Sequence, residues 1–245
     1  MKEFEKPIIA LLIGGGSRVP ALLQYLDKNP DLAEISMVVS HKALKNGEDV
    51  IGIAESKKRG IPTAYFNLIQ MRNSAKEVNP DLKDDDFRKE YFQILGSFLT
   101  QKYPQRPSAV FMLGWDLVVS KEFLKFFPFV FNLHPAQLGE NSGDETVKLE
   151  SGKEIPVLQG EHDEVITRAI ELKLPRLGSC IHLAVPIADA GGLVVKRVEV
   201  SIKEGETLES YEKKLLPAEE QLVIDTFSLF AKGKIKLVDG QIRII

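Results

Sequence analysis

Ile8-Ile9-Ala10-Leu11-Leu12-Ile13-Gly14-Gly15-Gly16-Ser17 decides the fold. Six apolar residues in a row leave no polar face, which is how a strand covered on both sides reads. The run is far too short to cross a bilayer. The glycines that follow permit a tight turn. After them Val19, Leu22, Leu23 and Leu26 share one face of a helix. Buried strand, glycine turn and amphipathic helix are the opening of a βαβ unit.

Working outward, the same alternation continues. Residues 35–39 read as a second strand, 50–58 as a helix closed by Gly60, and 61–66 as a third strand. A polar connection is expected over 67–84, then a long helix from Asp86 to about residue 102. A buried strand over 109–113 and a short helix over 121–126 lead to a strand over 129–131. Past that point Ser151-Gly152 joins two strand-like pieces, 146–149 and 155–158, into a hairpin. A helix over 161–172, strands over 179–185 and 193–200, and a helix over 207–230 follow, the last interrupted by Pro217. A closing hairpin turns at Asp239-Gly240. Repeated strand and helix alternation predicts an α/β fold, a Rossmann-like, mostly parallel sheet with helices on both faces.

Composition narrows the class. The chain has 245 residues, 27% charged and 44% hydrophobic, with a net charge of -3, which is the make-up of an ordinary globular protein. That charge offers no broad basic footprint, so no nucleic-acid partner is expected, and no membrane segment is found. A single cysteine, Cys180, excludes an internal disulfide, and no Cys/His cluster has zinc spacing, so no metal is expected. No export signal is read, and a reducing cytoplasm is the expected compartment. One domain over 1–245 is expected, with two halves (1–105 and 106–230) and the terminal hairpin (231–245). The oligomeric state stays open.

Asn132-Leu133-His134-Pro135, after the apolar Phe129-Val130-Phe131, carries the chemistry. At i and i+2 of a strand Asn132 and His134 share a face, and Pro135 ends regular pairing beyond them. Histidine changes charge near neutral pH, while asparagine donates and accepts without doing so, a pairing suited to acyl-type chemistry. Gly15, Gly16 and Ser17 offer backbone N–H groups at a helix start, and Arg18 adds a charged fork; anion binding and a plain glycine turn capped by Ser17 both fit. A nicotinamide cofactor fits poorly, because Ser40-His41-Lys42 stands where an acidic residue should end the second strand. Asp189, in Ala188-Asp189-Ala190-Gly191-Gly192, reads alone as a turn aspartate. His182 reads as a buried, hydrogen-bonded histidine, His162 as a residue near a helix start, and His41 as a surface residue. Trp115-Asp116 suits either a pocket wall or, for the ring, the core.

In order along the chain, Leu12 to Ser17, Val39-Ser40-His41-Lys42-Ala43, Gly60-Ile61-Pro62-Thr63, Gly114 with Ser120-Lys121-Glu122-Phe123, Asn132 to Pro135, and a Gly178-x-x-x-His182 followed seven positions later by Asp189 resemble the folate-dependent formyltransferase family. The resemblance runs from Leu12 to about Glu219. It implies formyl transfer from 10-formyltetrahydrofolate to the amine of glycinamide ribonucleotide in purine synthesis, with Asn132, His134 and Asp189 as the catalytic triad and no metal. It further implies a substrate phosphate held on Gly15, Gly16, Ser17 and Arg18, a substrate contact at Glu219, and folate contacts at Trp115, Asp116, Leu117, Val118, Val185 and Ala188. The partners so implied are two small molecules, a phosphorylated amine and a folate.

The chain departs from the family's pattern in four places. Arg18 replaces an Asn, Asp116-Leu117 replaces a Met-Arg pair, Ala136-Gln137-Leu138-Gly139 replaces Ser-Leu-Leu-Pro, and the hairpin is inserted before Gly160. Transfer to another amine (an amino sugar nucleotide or aminoacyl-tRNA), hydrolysis of formyl-folate, and a non-catalytic folate- or phosphate-binding protein are the alternative functions. The tRNA version fits least, since it expects an extra C-terminal domain and basic character.

Overall fold

In the computed structural model the described residues are 6–42, 46–101, 106–141, 143–184, 193–238 and 241–245. The first elements are β1 (Ile8–Ile13), α1 (Val19–Lys28), β2 (Glu34–Ser40), α2 (Ile51–Lys58), β3 (Thr63–Tyr65), α3 (Leu68–Val78) and α4 (Asp84–Gln101). Next come β4 (Ala109–Leu113), α5 (Lys121–Leu124), β5 (Val130–His134), β6 (Thr146–Lys148), β7 (Glu154–Pro156) and α6 (His162–Glu171). The chain ends with β8 (Ser179–Leu183), β9 (Val194–Val198), α7 (Leu208–Ala231), β10 (Ile235–Val238) and β11 (Gln241–Ile244). A seven-stranded, mostly parallel sheet takes the order β3-β2-β1-β4-β5-β8-β9, while β6-β7 and β10-β11 form two-stranded sheets of their own. Strand β1 pairs in parallel with β2 and β4, and β8 pairs antiparallel with β9.

Contacts divide the described chain into two compact units. One holds residues up to Phe131 with Ala184, and the other holds 132–183 and everything from Leu193 onward. In the first unit every residue of β1 is buried, as the unbroken apolar run requires of a strand covered on both faces. Ala10 and Leu12, on one face, join Met37, Val39, Val110 and Met112 in a core closed by Phe87, Tyr91, Phe92, Leu95 and Leu99 of α4. These α4 positions recur at helical spacing, so the helix is held by its apolar stripe. In the second unit Val165, Ile166 and Ala169 of α6 meet Tyr211 and Leu215 of α7 over Ala136, Leu158 and Leu177. The helix α7 starts on a capping box between Thr207 and Ser210 and continues through Pro217.

Two expectations about the backbone are corrected. Residues 67–84 are not merely a polar connection, because α3 occupies Leu68–Val78, with the Asn67 side chain accepting from Gln70 N at 2.8 Å as its cap. Leu68, Met71 and Ala75 pack against the core on a stripe so narrow that no residue of α3 is fully buried. The strand expected over 129–131 spans Val130–His134, so Asn132 and His134 are themselves paired residues at its carboxyl end.

Gly178 opens β8 with φ +102°, and a Cβ there would stand 1.9 Å from the Val198 carbonyl oxygen on the adjoining strand. Its N–H donates to Tyr211 Oη at 2.9 Å, which ties the strand start to α7. Gly178→Ala should therefore lower the unfolding free energy by about 2–4 kcal/mol in urea titrations. A loss below about 0.5 kcal/mol would show that β8 and β9 can part there without strain.

Candidate active site

The first unit places the glycine turn at the carboxyl end of β1. Gly16 has φ +75°, and a Cβ on it would meet Gly52 Cα at 2.8 Å and Ile13 Cδ1 at 2.7 Å. Gly52 N in turn donates to Gly15 O at 3.1 Å, so α2 begins against the turn. Only glycine accommodates that approach together with that dihedral. Gly15 is exposed, and a Cβ there would meet nothing within 4 Å. Ser17 and Arg18 are half-buried, with Arg18 Nη1 donating to Ser17 Oγ at 2.6 Å. The Ser17 cap of the plain-turn alternative is not formed: Arg18 holds the N-cap position of α1 without a side-chain cap bond, and Pro20 in the first turn presets the helix.

Beside this turn stand residues that follow β2 and β4. His41, expected at the surface, is instead mostly buried, because Trp115 covers it edge-on with ring centroids 4.9 Å apart and Gly14 leaves room for it. Its Nε2 lies 3.4 Å from Asp116 Oδ2, and Lys42 Nζ lies 3.3 Å from the same oxygen. Burial alone would raise the Asp116 carboxyl, but His41 and Lys42 outweigh it and hold the group below its ordinary 3.8. Trp115 belongs to the core cluster with Val119 and Phe123, whereas Leu117 is half-buried and Val118 is exposed.

The second unit holds the polar residues of β5 and β8. Asn132 Nδ2 lies 3.2 Å from His182 Nε2, while His182 Nδ1 lies 3.0 Å from Leu183 O. A carbonyl only accepts, so Nδ1 of His182 carries the proton and the neutral ring accepts at Nε2 from Asn132. His182 is thus the buried, hydrogen-bonded histidine that its strand position suggests, and it also orients the Asn132 amide. His134, 3% exposed, places Nε2 3.1 Å from Leu158 O. By the same reasoning its neutral ring is protonated at Nε2. The two rings meet edge to face with centroids 6.4 Å apart. Leu158 comes just after the inserted hairpin β6-β7, a partner that no local sequence signal marks, because the bond runs to a backbone carbonyl 24 positions away.

Glu219 lies 1% exposed on α7, where Ser179 Oγ donates to its Oε1 at 2.5 Å. Asp189, Val185 and Ala188 lie outside the described residues. Among the described residues one group has the composition of a metal site, His162, Asp163 and Glu212, of which sequence singles out only His162. His162 stands at the start of α6, as its position after Gly160 suggests.

A mostly parallel α/β sheet with a glycine turn after its first strand and an Asn-His pair in a central strand defines a class of small-molecule enzymes that bind ligands at strand carboxyl ends. The chain belongs to the formyl transferase family, whose model matches residues 6–227. Phosphoribosylglycinamide formyltransferase of Saccharomyces cerevisiae is 24% identical over 230 residues, covering 89% of this chain and 94% of that protein. Trifunctional purine biosynthetic protein adenosine-3 of Bos taurus is 25% identical over 235 residues, and the chain spans only 19% of its length. The solved glycinamide ribonucleotide transformylase 1 of Symbiobacterium toebii shares the fold, with a TM-score of 0.70 at 19% identity over 98% of this chain and 94% of that one.

The hydrogen bonds require opposite neutral tautomers of His134 and His182. Nitrogen-15 NMR of labelled protein above the histidine titrations should show His134 protonated at Nε2 and His182 at Nδ1, with His134→Ala and His182→Ala giving the assignments. A His134 ring protonated at Nδ1 would contradict the Leu158 contact.

Proposed function

We propose that this chain transfers the formyl group of 10-formyltetrahydrofolate to the amine of glycinamide ribonucleotide; the name of the yeast relative gives the transferred group and the acceptor. The observation that carries this reading is the pair Asn132 and His134 on one face of β5, each already fixed by a hydrogen bond. Asn132 gives one amide N–H to His182 and keeps a second for substrate. His134 has its Nε2 proton on the Leu158 carbonyl, so the second proton of its imidazolium sits on Nδ1.

The substrate amine attacks the formyl carbon, and the carbonyl electron pair moves onto the oxygen. Asn132 N–H and His134 Nδ1–H donate to that oxyanion in positions set before the reaction begins. The oxyanion pair then re-forms the carbonyl as the carbon–N10 bond breaks and its electron pair stays on N10; the proton shed by the attacking amine passes through water to the Asp189 carboxylate, and Asp189 returns a proton through water to N10. Gly15, Gly16, Ser17 and Arg18 hold the substrate phosphate, and Glu219 is a further substrate-side residue. The folate lies along Leu117 and Val118, with Val185 and Ala188. We read 1–245 as one formyltransferase-like domain acting in the cytoplasm on small molecules, without a metal. Among the described residues no helix is long and apolar enough to cross a membrane.

Purified protein given both substrates should release deformylated folate in equal amount to formylglycinamide ribonucleotide. His134→Ala should lower kcat by about two to three orders of magnitude. Deformylation without formylated amine would assign hydrolysis instead, folate binding with no turnover would assign a binding protein, and an unaffected His134→Ala variant would remove the histidine from the chemistry.

A further inference from the structure

In the sheet order β3-β2-β1-β4-β5 the chain builds away from β1 in both directions, so the crevice between β1 and β4 is a topological switch point, where open α/β sheets bind ligands. Three strand ends converge there. Gly14 follows β1, His41 and Lys42 follow β2, and Gly114 to Asp116 follow β4. A Cβ on Gly14 would lie 2.5 Å from Gly114 O, 3.0 Å from Lys42 Cε and 3.4 Å from His41 Nε2. The basic pair is therefore in van der Waals reach of the glycine turn.

This cluster is under-satisfied. Trp115 Nε1 and His41 Nε2 are buried without a hydrogen-bond partner among the described residues, and Trp115 is only 5% exposed. A buried polar group without a partner costs about 1–3 kcal/mol, so two side by side at a ligand-binding crevice need an explanation. Among the described residues the anion paired with them is Asp116, whose side chain is 42% exposed and stands 3.3 Å and 3.4 Å from the two basic nitrogens. Well-made charge-assisted bonds are shorter, about 2.7–2.9 Å. The carboxylate balances the charge without engaging the donors closely.

We propose that His41 and Lys42 extend the glycine turn into a phosphomonoester subsite, and that the Asp116 carboxylate is the internal competitor a bound phosphate displaces. A phosphate fits better than a carboxylate here. It offers more acceptor oxygens than the planar group already present, and it can take the ammonium of Lys42 together with backbone N–H groups at the start of α1. Asp116 then sets specificity by opposition: it repels a phosphate until the gain from Lys42, His41 and the turn exceeds the ion pair being broken. The subsite deepens the proposed function by naming residues that select the phosphorylated amine, and it depends on that reading only for the substrate's identity.

Asp116→Asn and Lys42→Gln change charge at exposed positions with little change in shape. Calorimetric titration at low salt with ribose 5-phosphate, and with ribose as the control, should show Lys42→Gln weakening phosphate binding about tenfold. Asp116→Asn should tighten it about threefold. The opposite sign is the decisive readout, since a carboxylate that contacted the ligand directly would give weaker binding when neutralised. The proposal is overturned if Asp116→Asn weakens binding or leaves it unchanged, if Lys42→Gln has no effect, or if neither wild type nor Asp116→Asn binds ribose 5-phosphate. It is equally overturned if p-aminobenzoylglutamate, rather than the sugar phosphate, is the ligand that gains affinity. Titration needs no turnover, so absence of formyl transfer would sink the proposed function while leaving this pattern to stand or fall alone.

Discussion

Backbone-to-backbone approach at the carboxyl end of β1 is the constraint on which the first unit depends. Side chains are excluded at Gly14 by the Gly114 carbonyl and at Gly16 by Gly52, each within 3 Å of where a Cβ would stand. Those contacts draw the ends of β1 and β4 and the start of α2 together, which a larger residue would force apart. The buried strand supplies the rigid support: β1 is paired on both edges and covered on both faces, so the turn cannot relax by moving the strand beneath it.

In the second unit, precision comes from hydrogen bonds to backbone carbonyls. Asn132 and His134 share a face because a strand alternates its side chains, but alternation alone leaves each free to rotate. The Leu183 carbonyl fixes the tautomer of His182, which fixes the Asn132 amide, and the Leu158 carbonyl does the same for His134. The inserted segment thereby bears on the central strand, since it ends at Leu158. Buried Gln137, whose amide reaches the carbonyls of Leu177 and Val198, similarly satisfies backbone groups beside β8 and β9.

Much of this architecture was legible residue by residue. The apolar runs of β1 and β4 reproduce the expected strands to the residue, because six or five consecutive buried positions have only one economical reading between glycine and serine breaks. Helix α3 was not legible, since only Leu68, Met71 and Ala75 among its apolar residues pack inward while Ile69 and Val78 are exposed, a stripe too weak to separate from a loop. His41 was misplaced for a different reason. Its exposure is set by a tryptophan 74 positions later in the chain, and nothing in Ser40-His41-Lys42 marks that neighbour.

The sequence by itself determined the alternation of strands and helices, the turn that only glycine can make, and the i, i+2 pairing of Asn132 with His134, because these follow from local periodicity and steric rules within a few residues. Tertiary structure alone decided which atoms meet: His182 beside Asn132, Leu158 O beside His134, Ser179 against Glu219, and Asp116 held by His41 and Lys42. Each of those contacts joins positions far apart in the chain. Their distances are set by how strands and helices stack, a property of the folded core that no local pattern encodes.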